Sequence, residues 1–470
     1  MKKEHLILIF AVFAAFAATA AFFYPALSSD AWWHISSGRE IIKAKGLPAQ
    51  DDFYCIGGNK WYAHEWLFDA GIFGLYSNFG ERSIKPVFSF IFFLVLIVIF
   101  FTADRSARGS TTAAMTAALI ACALLVPYTE ERPQIITVAA MGIFMFAGTF
   151  KPGKNNIAGL YLLIPLTVLW TNIHSAAIAG VYVFAASWTC HLFTAPKNDR
   201  KFMLLHGSIL LPLLFISVLI SPLGLKAVMF FGEDAWLKQY INEWQGIISR
   251  GGLGQNIYAA ALISAGAAGL YISARRLLDK QTRMQGLKEL FIFVPFFAAV
   301  FITKKIIPLF IVAIVPVIAS GLAAKNTKAP RVLTAVLFFV ILIFSLAERE
   351  IVLYPDQAME FIRLSGNSGC VLTSFEWGGY AENALYPAYR VFLNGRLNAP
   401  EDVIRKYSNI YNAEGDFGEF MKETGVRYYV LRHDSPLAHY LYDKNIKPVY
   451  SDRICLVFDR PQEKLLGKAN

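Results

Sequence analysis

The sequence has few charged residues for its length. Asp, Glu, Lys and Arg make up 17% of its 470 residues, whereas hydrophobic residues make up 56% and aromatic residues 15%. A soluble globular chain usually carries about a quarter charged residues, and hydrocarbon excludes charge. The composition therefore predicts an integral membrane protein. The net charge of +10 does not indicate a nucleic-acid partner, because Lys and Arg occur in short clusters between apolar runs instead of forming one basic face.

Cysteine is also scarce, and its spacing excludes the common metal and redox motifs. The five cysteines form no CxxC or zinc pattern, and Cys122 and Cys190 lie within apolar runs as small hydrophobic residues. Cys370 and Cys455 flank predicted strands near the C-terminus and would be able to pair outside the cytoplasm. Internal repeats and inverted pseudo-symmetry are missing as well, which weakens a transporter interpretation.

Long apolar runs are abundant. A membrane span needs about 20 mainly apolar residues, and this criterion predicts about eleven spans, the first of them an uncleaved anchor. They lie near residues 6–24, 84–103, 111–127, 133–150, 156–172, 175–194, 203–221, 256–273, 288–303, 305–324 and 331–347.

The basic clusters give these spans a direction, because short cytoplasmic loops carry an excess of Lys and Arg. With the N-terminus in the cytoplasm, every inside loop is basic, and the outside then receives the long loops 25–83 and 222–255 and the C-terminal domain. Lys304 and Lys305 are an exception, since they occupy a predicted outside turn. They fit either lysines that extend to the membrane interface or a cation pair for an anionic ligand such as a lipid phosphate.

The first outside loop concentrates polar side chains next to aromatic ones. Asp30 and His34 are four residues apart, so a helix would place both on one face, and His64 and Glu65 lie between Trp61 and Trp66. The ordinary alternative is an interfacial amphipathic helix that begins with Asp30 as its N-cap and holds Trp32 and Trp33 at the membrane surface. The histidine spacing does not match a helical zinc site.

The last 120 or so residues are predicted to form a soluble α/β domain with a mostly parallel sheet, because short β-rich runs alternate with helical ones. The predicted strands are 370–373, 390–393, 426–431, 448–450 and 454–458, and the predicted helices are 355–364, 401–412, 416–424 and 436–443. No turn in this domain matches a nucleotide-binding motif.

Taken in order, several motifs resemble bacterial membrane proteins related to the GT-C glycosyltransferases, and the resemblance covers nearly the whole chain. The motifs are Asp30-Ala31-Trp32-Trp33-His34, Gly46-Leu47-Pro48, Asp51-Asp52, His64-Glu65-Trp66-Leu67, Arg132-Pro133, Trp170-Thr171-Asn172-Ile173-His174, Glu243-Trp244, Glu376-Trp377-Gly378-Gly379-Tyr380, Asn394-Gly395-Arg396 and Val426-Arg427-Tyr428-Tyr429-Val430-Leu431.

This resemblance implies a hexosyltransferase-like enzyme of the bacterial cytoplasmic membrane. It would move a sugar from a polyprenyl-phosphate-linked donor to a glycan, lipid or protein acceptor on the outer side. Asp30 matches the position of the catalytic base, and cations would stabilise the leaving phosphate. The implied substrate-binding residues are His34, His64, Glu65, Arg132, Asn172, His174, Glu243, Lys304 and Lys305.

Two departures from the family pattern bear on catalysis. Ser28 and Ser29 stand where many relatives have a second acidic residue, so a DxD motif is missing and no divalent metal or other cofactor is specifically predicted. Asn394 stands where many relatives have Asp.

The fold class predicted from the spans, the loop charges and the resemblance is an α-helical polytopic GT-C-like membrane domain, residues 1–347, followed by an extracytoplasmic α/β domain, residues 348–470. A transporter or flippase of a lipid-linked solute, and a catalytically silent scaffold of the same fold, remain the alternatives.

Overall fold

A computed structural model describes most of the chain. The described residues are 10, 12–18, 26–56, 60–61, 64–226, 238–248, 252–324, 343, 352–396 and 399–460. Residues 12–18 are helical, but most of the predicted first span, and the predicted last span at 331–347, lie outside the described residues.

Helices dominate the described part of the chain. In order they are α1 Ser29–Ala44, α2 Trp66–Phe79, α3 Ile84–Ser106, α4 Thr111–Leu125, α5 Gln134–Ala147, α6 Ile157–Tyr161, α7 Leu163–Ile173, α8 Ala177–Thr194, α9 Lys197–Leu219, α10 Leu253–Leu278, α11 Arg283–Val300, α12 Ile307–Ala324, α13 Asp356–Leu364, α14 Gly378–Leu385, α15 Glu401–Tyr411, α16 Phe417–Thr424 and α17 Pro436–Asp443. The strands are β1 Gly369–Thr373, β2 Tyr389–Val391, β3 Val426–Arg432, β4 Tyr450–Ser451 and β5 Cys455–Asp459.

The chain divides into two compact units. The helical unit comprises residues 1–24 and 85–350, and the loop–tail unit comprises residues 25–84 and 351–470. The long outside loop predicted at 25–83 is therefore packed with the C-terminal residues in the loop–tail unit.

The helical unit is organised around α12. This helix is apolar on every side and buried along most of its length, as expected of a helix that has neighbours all around it. It packs against α4, α5, α10 and α11. Close approach depends on small residues: a methyl group added to Gly269 of α10 would lie 2.4 Å from Ile314 Cδ1 of α12.

Six helical segments among the described residues are long and apolar enough to cross a membrane, namely 81–106, 111–128, 177–194, 197–219, 253–278 and 304–324. The protein is thus a multi-pass membrane protein, but the count of eleven is not confirmed. Two of the other predicted spans form shorter apolar helices, 134–147 and 157–173. The predicted span at 288–303 overlaps α11, whose first half includes Arg283, Lys288 and Glu289.

The loop–tail unit contains a five-stranded sheet with strand order β2-β1-β3-β5-β4. Most of the predicted strands and helices match the observed ones, and α17 begins and ends at the predicted residues. Helix α14 was not predicted, and β4 shares only Tyr450 with its predicted range. The sheet is mixed: β1 pairs in parallel with β2 and β3, while β5 is antiparallel to β3 and β4, so four of the five strands run in the predicted common direction. A tight turn between β4 and β5 reverses the chain, which forces an antiparallel pair.

Residues 53–55 of the loop 25–83 extend this sheet at its β2 edge. The N–H of Val391 donates to Phe53 O and the N–H of Cys55 donates to Val391 O, both at 2.9 Å. A disulfide joins Cys55 to Cys370 of β1, with a Cα–Cα distance of 5.5 Å. The predicted pairing of Cys370 with Cys455 is therefore wrong. Cys455 is a free, buried residue of β5, and β3 separates β5 from β1, which puts the two strands about 9–10 Å apart.

Candidate functional site

Asp30 lies in the first turn of α1. Ser28 is the N-cap, so Asp30 does not have the capping position considered from the sequence. Its carboxylate is partly buried and lies next to the turn 394–396 of the tail, since a methyl group added to Gly395 would be 2.5 Å from Asp30 Oδ1. The helix dipole of α1 favours a negative charge at this end. The Asp30 carboxylate thus lies at the N-terminal end of α1 and beside the turn 394–396.

The tryptophans after Asp30 do not lie at the protein surface. Trp32 is 4% exposed and Trp33 is 5% exposed. The ring of Trp32 makes edge contacts with Tyr76, Tyr354 and Tyr380. The interpretation of α1 as an interfacial amphipathic helix is therefore wrong, because α1 is buried between α2 and α14.

His34, His64 and Glu65 form one chain of titratable groups together with Asp69, which the sequence did not single out. Nδ1 of His34 is 2.5 Å from Asp69 Oδ1, its Nε2 is 3.9 Å from Glu65 Oε2, and Nε2 of His64 is 3.4 Å from the same Glu65 oxygen. Asp69 stands within the otherwise apolar run of α2. A buried carboxyl needs a polar partner. An acidic residue within an apolar helix was therefore the feature of the sequence that could have identified Asp69 as a member of this group.

Burial shifts the pKa of two of these four side chains, His34 and Asp69. It lowers the pKa of His34 to about 3 and raises the pKa of the Asp69 carboxyl, in each case by disfavouring the charged form. The short contact between Nδ1 of His34 and Asp69 Oδ1 holds the imidazole in one orientation, with its Nε2 turned toward Glu65.

A buried ion pair links the loop 25–83 to the C-terminal residues 351–470, which are called the tail. Nη1 of Arg396 donates to Asp51 Oδ2 at 2.7 Å, and the two side chains are 3% and 0% exposed. Nη2 of Arg396 donates to Ser37 Oγ of α1, and the guanidinium lies over the ring of Trp61, 4.4 Å from its centroid. Charge pairing, hydrogen bonds and ring contact together hold the turn 394–396 against α1.

Asn394 makes a second link. Its Oδ1 accepts from Tyr54 OH at 2.5 Å and from the N–H of Arg396 at 3.0 Å, and its Nδ2 donates to Glu382 Oε2. Burial raises the pKa of Glu382 to about 8, although the Arg396 charge opposes that shift. Asn394 stands where many members of the resembled family have Asp. In this protein the side-chain amide of Asn394 donates a hydrogen bond to the buried Glu382 carboxyl. An ionised Asp at this position would have no hydrogen to donate.

In the helical unit, Glu243, Lys304 and Lys305 line a cavity of about 210 Å³. Nζ of Lys304 donates to Asn242 Oδ1 at 2.6 Å, and Nζ of Lys305 lies over the ring of Trp244, 3.6 Å from its centroid. The remaining lining residues are Pro127, Tyr128, Asn242, Ile247, Gln255, Tyr258 and Ile307. Both lysines thus line a partly open cavity, and Lys305 is also exposed.

Arg132 extends this group. Its Nε is 2.8 Å from Glu130 Oε2, and its Nη1 is 3.3 Å from Glu243 Oε2. Burial raises the pKa of Glu243, but the charges of Arg132 and Lys305 outweigh it and leave that pKa below its ordinary value. Glu243 is therefore ionised, and its negative charge interacts with the positive charges of Arg132 and Lys305.

Asn172 and His174 lie at the end of α7 and are not among the residues that line the cavity. Nδ2 of Asn172 donates to the carbonyls of Val168 and Ile220. Thr137 Oγ1 accepts from Trp170 Nε1 and is hydrogen-bonded to His174 Nδ1, each at 2.8 Å. These contacts fit a role in helix packing.

Among the residues that the structure describes, no group of three or more His, Cys, Asp or Glu side chains is arranged to hold a metal ion. The carboxylates nearest the Asp30 turn are engaged elsewhere, Asp51 with Arg396 and Glu382 with Asn394. We therefore derive no step through a metal ion.

Comparisons with known proteins agree with this architecture. No protein-family model and no curated protein sequence matches the chain. Among solved structures, the oligosaccharyltransferase of Archaeoglobus fulgidus, tethered to an acceptor peptide with an NVT sequon, matches with a TM-score of 0.62 at 12% identity, over 91% of this chain and 69% of that one.

Two structures of arabinofuranosyltransferase AftD from Mycobacteria match with TM-scores of 0.53 and 0.50 at 13% and 14% identity, over 93% of this chain. The chain spans 37% of the AftD chain. All three are glycosyltransferases of the GT-C type. The resemblance found in the sequence is thereby confirmed at the level of structure, and this protein is a multi-pass membrane protein with the GT-C fold.

Proposed function

We propose that this protein is a membrane glycosyltransferase that transfers a sugar from a polyprenyl-phosphate-linked donor to an acceptor on the extracytoplasmic face. The observation that carries the proposal is the GT-C fold, shared over more than nine-tenths of the chain with structures that are glycosyltransferases. Hexosyl transfer is the finer form of the same proposal.

Asp30 is the proposed base. Its carboxylate takes the proton from an acceptor hydroxyl or amide while the acceptor atom bonds to C1 of the sugar and the bond from C1 to the phosphate oxygen breaks. The phosphate leaves on its polyprenol with the electrons of that bond. His34, whose ring orientation is held by the contact with Asp69, and the neighbouring His64 and Glu65 would orient the acceptor or sugar.

The cavity lined by Lys304 and Lys305 is the proposed site of the donor phosphate. Two ammonium groups at a partly open cavity of about 210 Å³ would provide charge-assisted hydrogen bonds for a phosphate oxygen. Arg132, which is paired with Glu243, would add positive charge as the phosphate leaves. Asn172 and His174 are proposed to act indirectly, by fixing α7.

The extracytoplasmic orientation rests on the charge pattern of the loops and gains support from the Cys55–Cys370 disulfide. Disulfides persist in oxidising compartments and are rare in the cytoplasm. A disulfide in the loop–tail unit is therefore what that unit would be expected to contain if it faces outward.

The base is tested by Asp30→Asn in a strain that lacks the chromosomal gene. Mass spectra of the envelope glycans should lose one product on deletion, regain it with the wild-type chain and not regain it with Asp30→Asn. Asp52→Asn is the matched control, because Asp52 has a carboxylate that is 62% exposed, and it should restore the product. A normal product from Asp30→Asn would refute the assignment of the base.

The phosphate site is tested separately by Lys304→Gln/Lys305→Gln. Binding of a fluorescent polyprenyl phosphate to the purified protein should weaken by 10-fold or more, whereas Lys197→Gln/Lys201→Gln, which alters two exposed lysines of α9, should not change it. Equal affinity in the two double variants would assign Lys304 and Lys305 to the membrane interface.

A catalytically silent scaffold is the second candidate. It is favoured by the extent to which polar residues of the outside loop serve packing, as Asp51 does with Arg396. The scaffold predicts that glycans lost on deletion return with Asp30→Asn, so the same experiment distinguishes the two functions.

A further inference from the structure

We propose that Gly395 in the tail is a positioning residue for Asp30: its missing side chain leaves the space that the carboxylate occupies, so the tail completes the environment of the base. This inference rests on the proposed function, because it assumes that Asp30 acts on the substrate.

The approach between the two residues is closer than a side chain at position 395 would allow. A methyl group added to Gly395 would lie 2.5 Å from Asp30 Oδ1 and 3.3 Å from Trp33 Nε1. Real side-chain carbons do not approach an oxygen to 2.5 Å, so one of the two elements would have to move.

The turn is held on both sides of Gly395, and the atom that a methyl group would meet is at the end of the Asp30 side chain. Asn394, on one side of Gly395, is fully buried and bonded to Tyr54 and Glu382. Arg396, on the other side, is bonded to Asp51 and Ser37. Buried polar networks of this kind are costly to break, and the Asp30 side chain can rotate about its own bonds. The carboxylate is therefore the part that yields.

The atoms in the way also determine whether the fold survives. At Gly395 they belong to the side chains of Asp30 and Trp33, whereas a methyl group on Gly38 would meet the backbone oxygen of Asp69 at 1.9 Å and one on Gly378 would meet the backbone oxygen of Leu393 at 2.3 Å. Gly395→Ala should thus displace the base without separating packed elements, unlike alanine at the other two glycines.

The displacement needed to reach an ordinary contact is about 1 Å, and a misplacement of that size can lower a catalytic rate by about 100-fold. We expect Gly395→Ala to lower the rate of transfer by about 10- to 100-fold. Binding of the polyprenyl phosphate should stay within about 2-fold of wild type, because Lys304 and Lys305 are unchanged.

The test measures two quantities for each variant: the rate at which the glycan product appears per molecule of protein after induction in the deletion strain, and the affinity of the purified full chain for fluorescent polyprenyl phosphate. Gly46→Ala is the control, since Gly46 is exposed and a methyl group there meets nothing within 4 Å. A Gly395→Ala rate equal to that of Gly46→Ala, with Asp30→Asn strongly impaired, would overturn the inference while leaving the proposed function intact.

A double-variant cycle shows whether Gly395 acts through Asp30. In the Asp30→Asn background, Gly395→Ala should reduce the residual rate no further, because the group it displaces no longer accepts a proton. An equal loss in both backgrounds would mean that Gly395 has a merely structural role. If Asp30→Asn is fully active, the proposed base itself fails.

If melting curves show that Gly395→Ala is misfolded, Tyr54→Phe replaces it. That change removes one hydrogen bond from Asn394 and adds no atoms, so it loosens the turn beside Asp30. A lower rate with unchanged affinity for polyprenyl phosphate would support the inference, and an unchanged rate would overturn it.

Discussion

Glu382 should make the stability of this protein fall as the pH rises from 6.5 to 8. The carboxyl is buried and its folded-state pKa is about 8, against an ordinary value of 4.5. Because the folded state binds this proton more tightly than the unfolded state, the contribution of Glu382 is complete below pH 4.5 and is lost as the pH approaches 8.

The pH window matters because His34 acts in the opposite direction. Its pKa falls from 6.5 to about 3, so its contribution is complete above pH 6.5 and is lost at lower pH. Above pH 6.5 the Glu382 contribution is no longer offset by His34. Over the 1.5 pH units from 6.5 to 8, it amounts to about 2 kcal/mol, which corresponds to a change of roughly 4–8 °C in the melting temperature of a cooperative unit the size of the loop–tail unit, about 180 residues.

The assay is the melting of the purified, detergent-solubilised chain, followed by tryptophan fluorescence at pH 6.5 and pH 8 at constant ionic strength. Asp69, whose pKa is also raised, likewise makes the melting temperature fall as the pH rises. The contribution of Glu382 is therefore measured by comparing the fall in melting temperature of wild type with that of Glu382→Gln. Between pH 6.5 and pH 8 the melting temperature of the variant should fall by about 4 °C less than that of wild type. Glu360→Gln, at an exposed carboxylate, should behave as wild type, and identical losses in all three proteins would refute the reasoning.

Three other changes test the packing of the loop–tail unit, each measured by thermal or denaturant unfolding. Gly38→Ala should cost about 3 kcal/mol, since the methyl group would meet Asp69 O at 1.9 Å; a stability equal to that of Gly46→Ala would contradict the close contact of α1 with α2. Arg396→Met should cost about 3–5 kcal/mol by leaving Asp51 buried and unpaired, and adding Asp51→Leu should recover part of that loss. Cys55→Ser should cost about 2–4 kcal/mol, and a reducing agent should bring the wild type to the same value; no effect of reductant would argue against the Cys55–Cys370 bond.

Local patterns predicted the elements well. A helix or strand is specified by residues that follow one another, so hydrophobic periodicity and turn residues identified α17 to the residue and β3 to within one residue. Hydropathy likewise located most of the apolar helices. The count of eleven spans is not confirmed, and apolar composition does not reveal where a helix ends: α5, within the predicted span 133–150, ends at Ala147.

The candidate site was predicted in part. The order of motifs drew attention to Asp30 and to the turn 394–396, and the charge pattern drew attention to Lys304 and Lys305. Asp69, the partner of His34, and Glu382, the partner of Asn394, were missed. An acidic residue in a buried helix indicates that a polar partner is needed, but the sequence does not show which residue that partner is.

By itself, then, the sequence determined that this chain crosses a membrane many times and ends in a small α/β domain, because both properties follow from composition and short-range periodicity. Tertiary structure alone decided which distant residues meet. Cys55 pairs with a cysteine 315 positions away, and Asp51 pairs with an arginine 345 positions away. Such pairs depend on how packed helices and strands bring separate parts of the chain together, and that packing also leaves Asp30 beside a glycine of the tail.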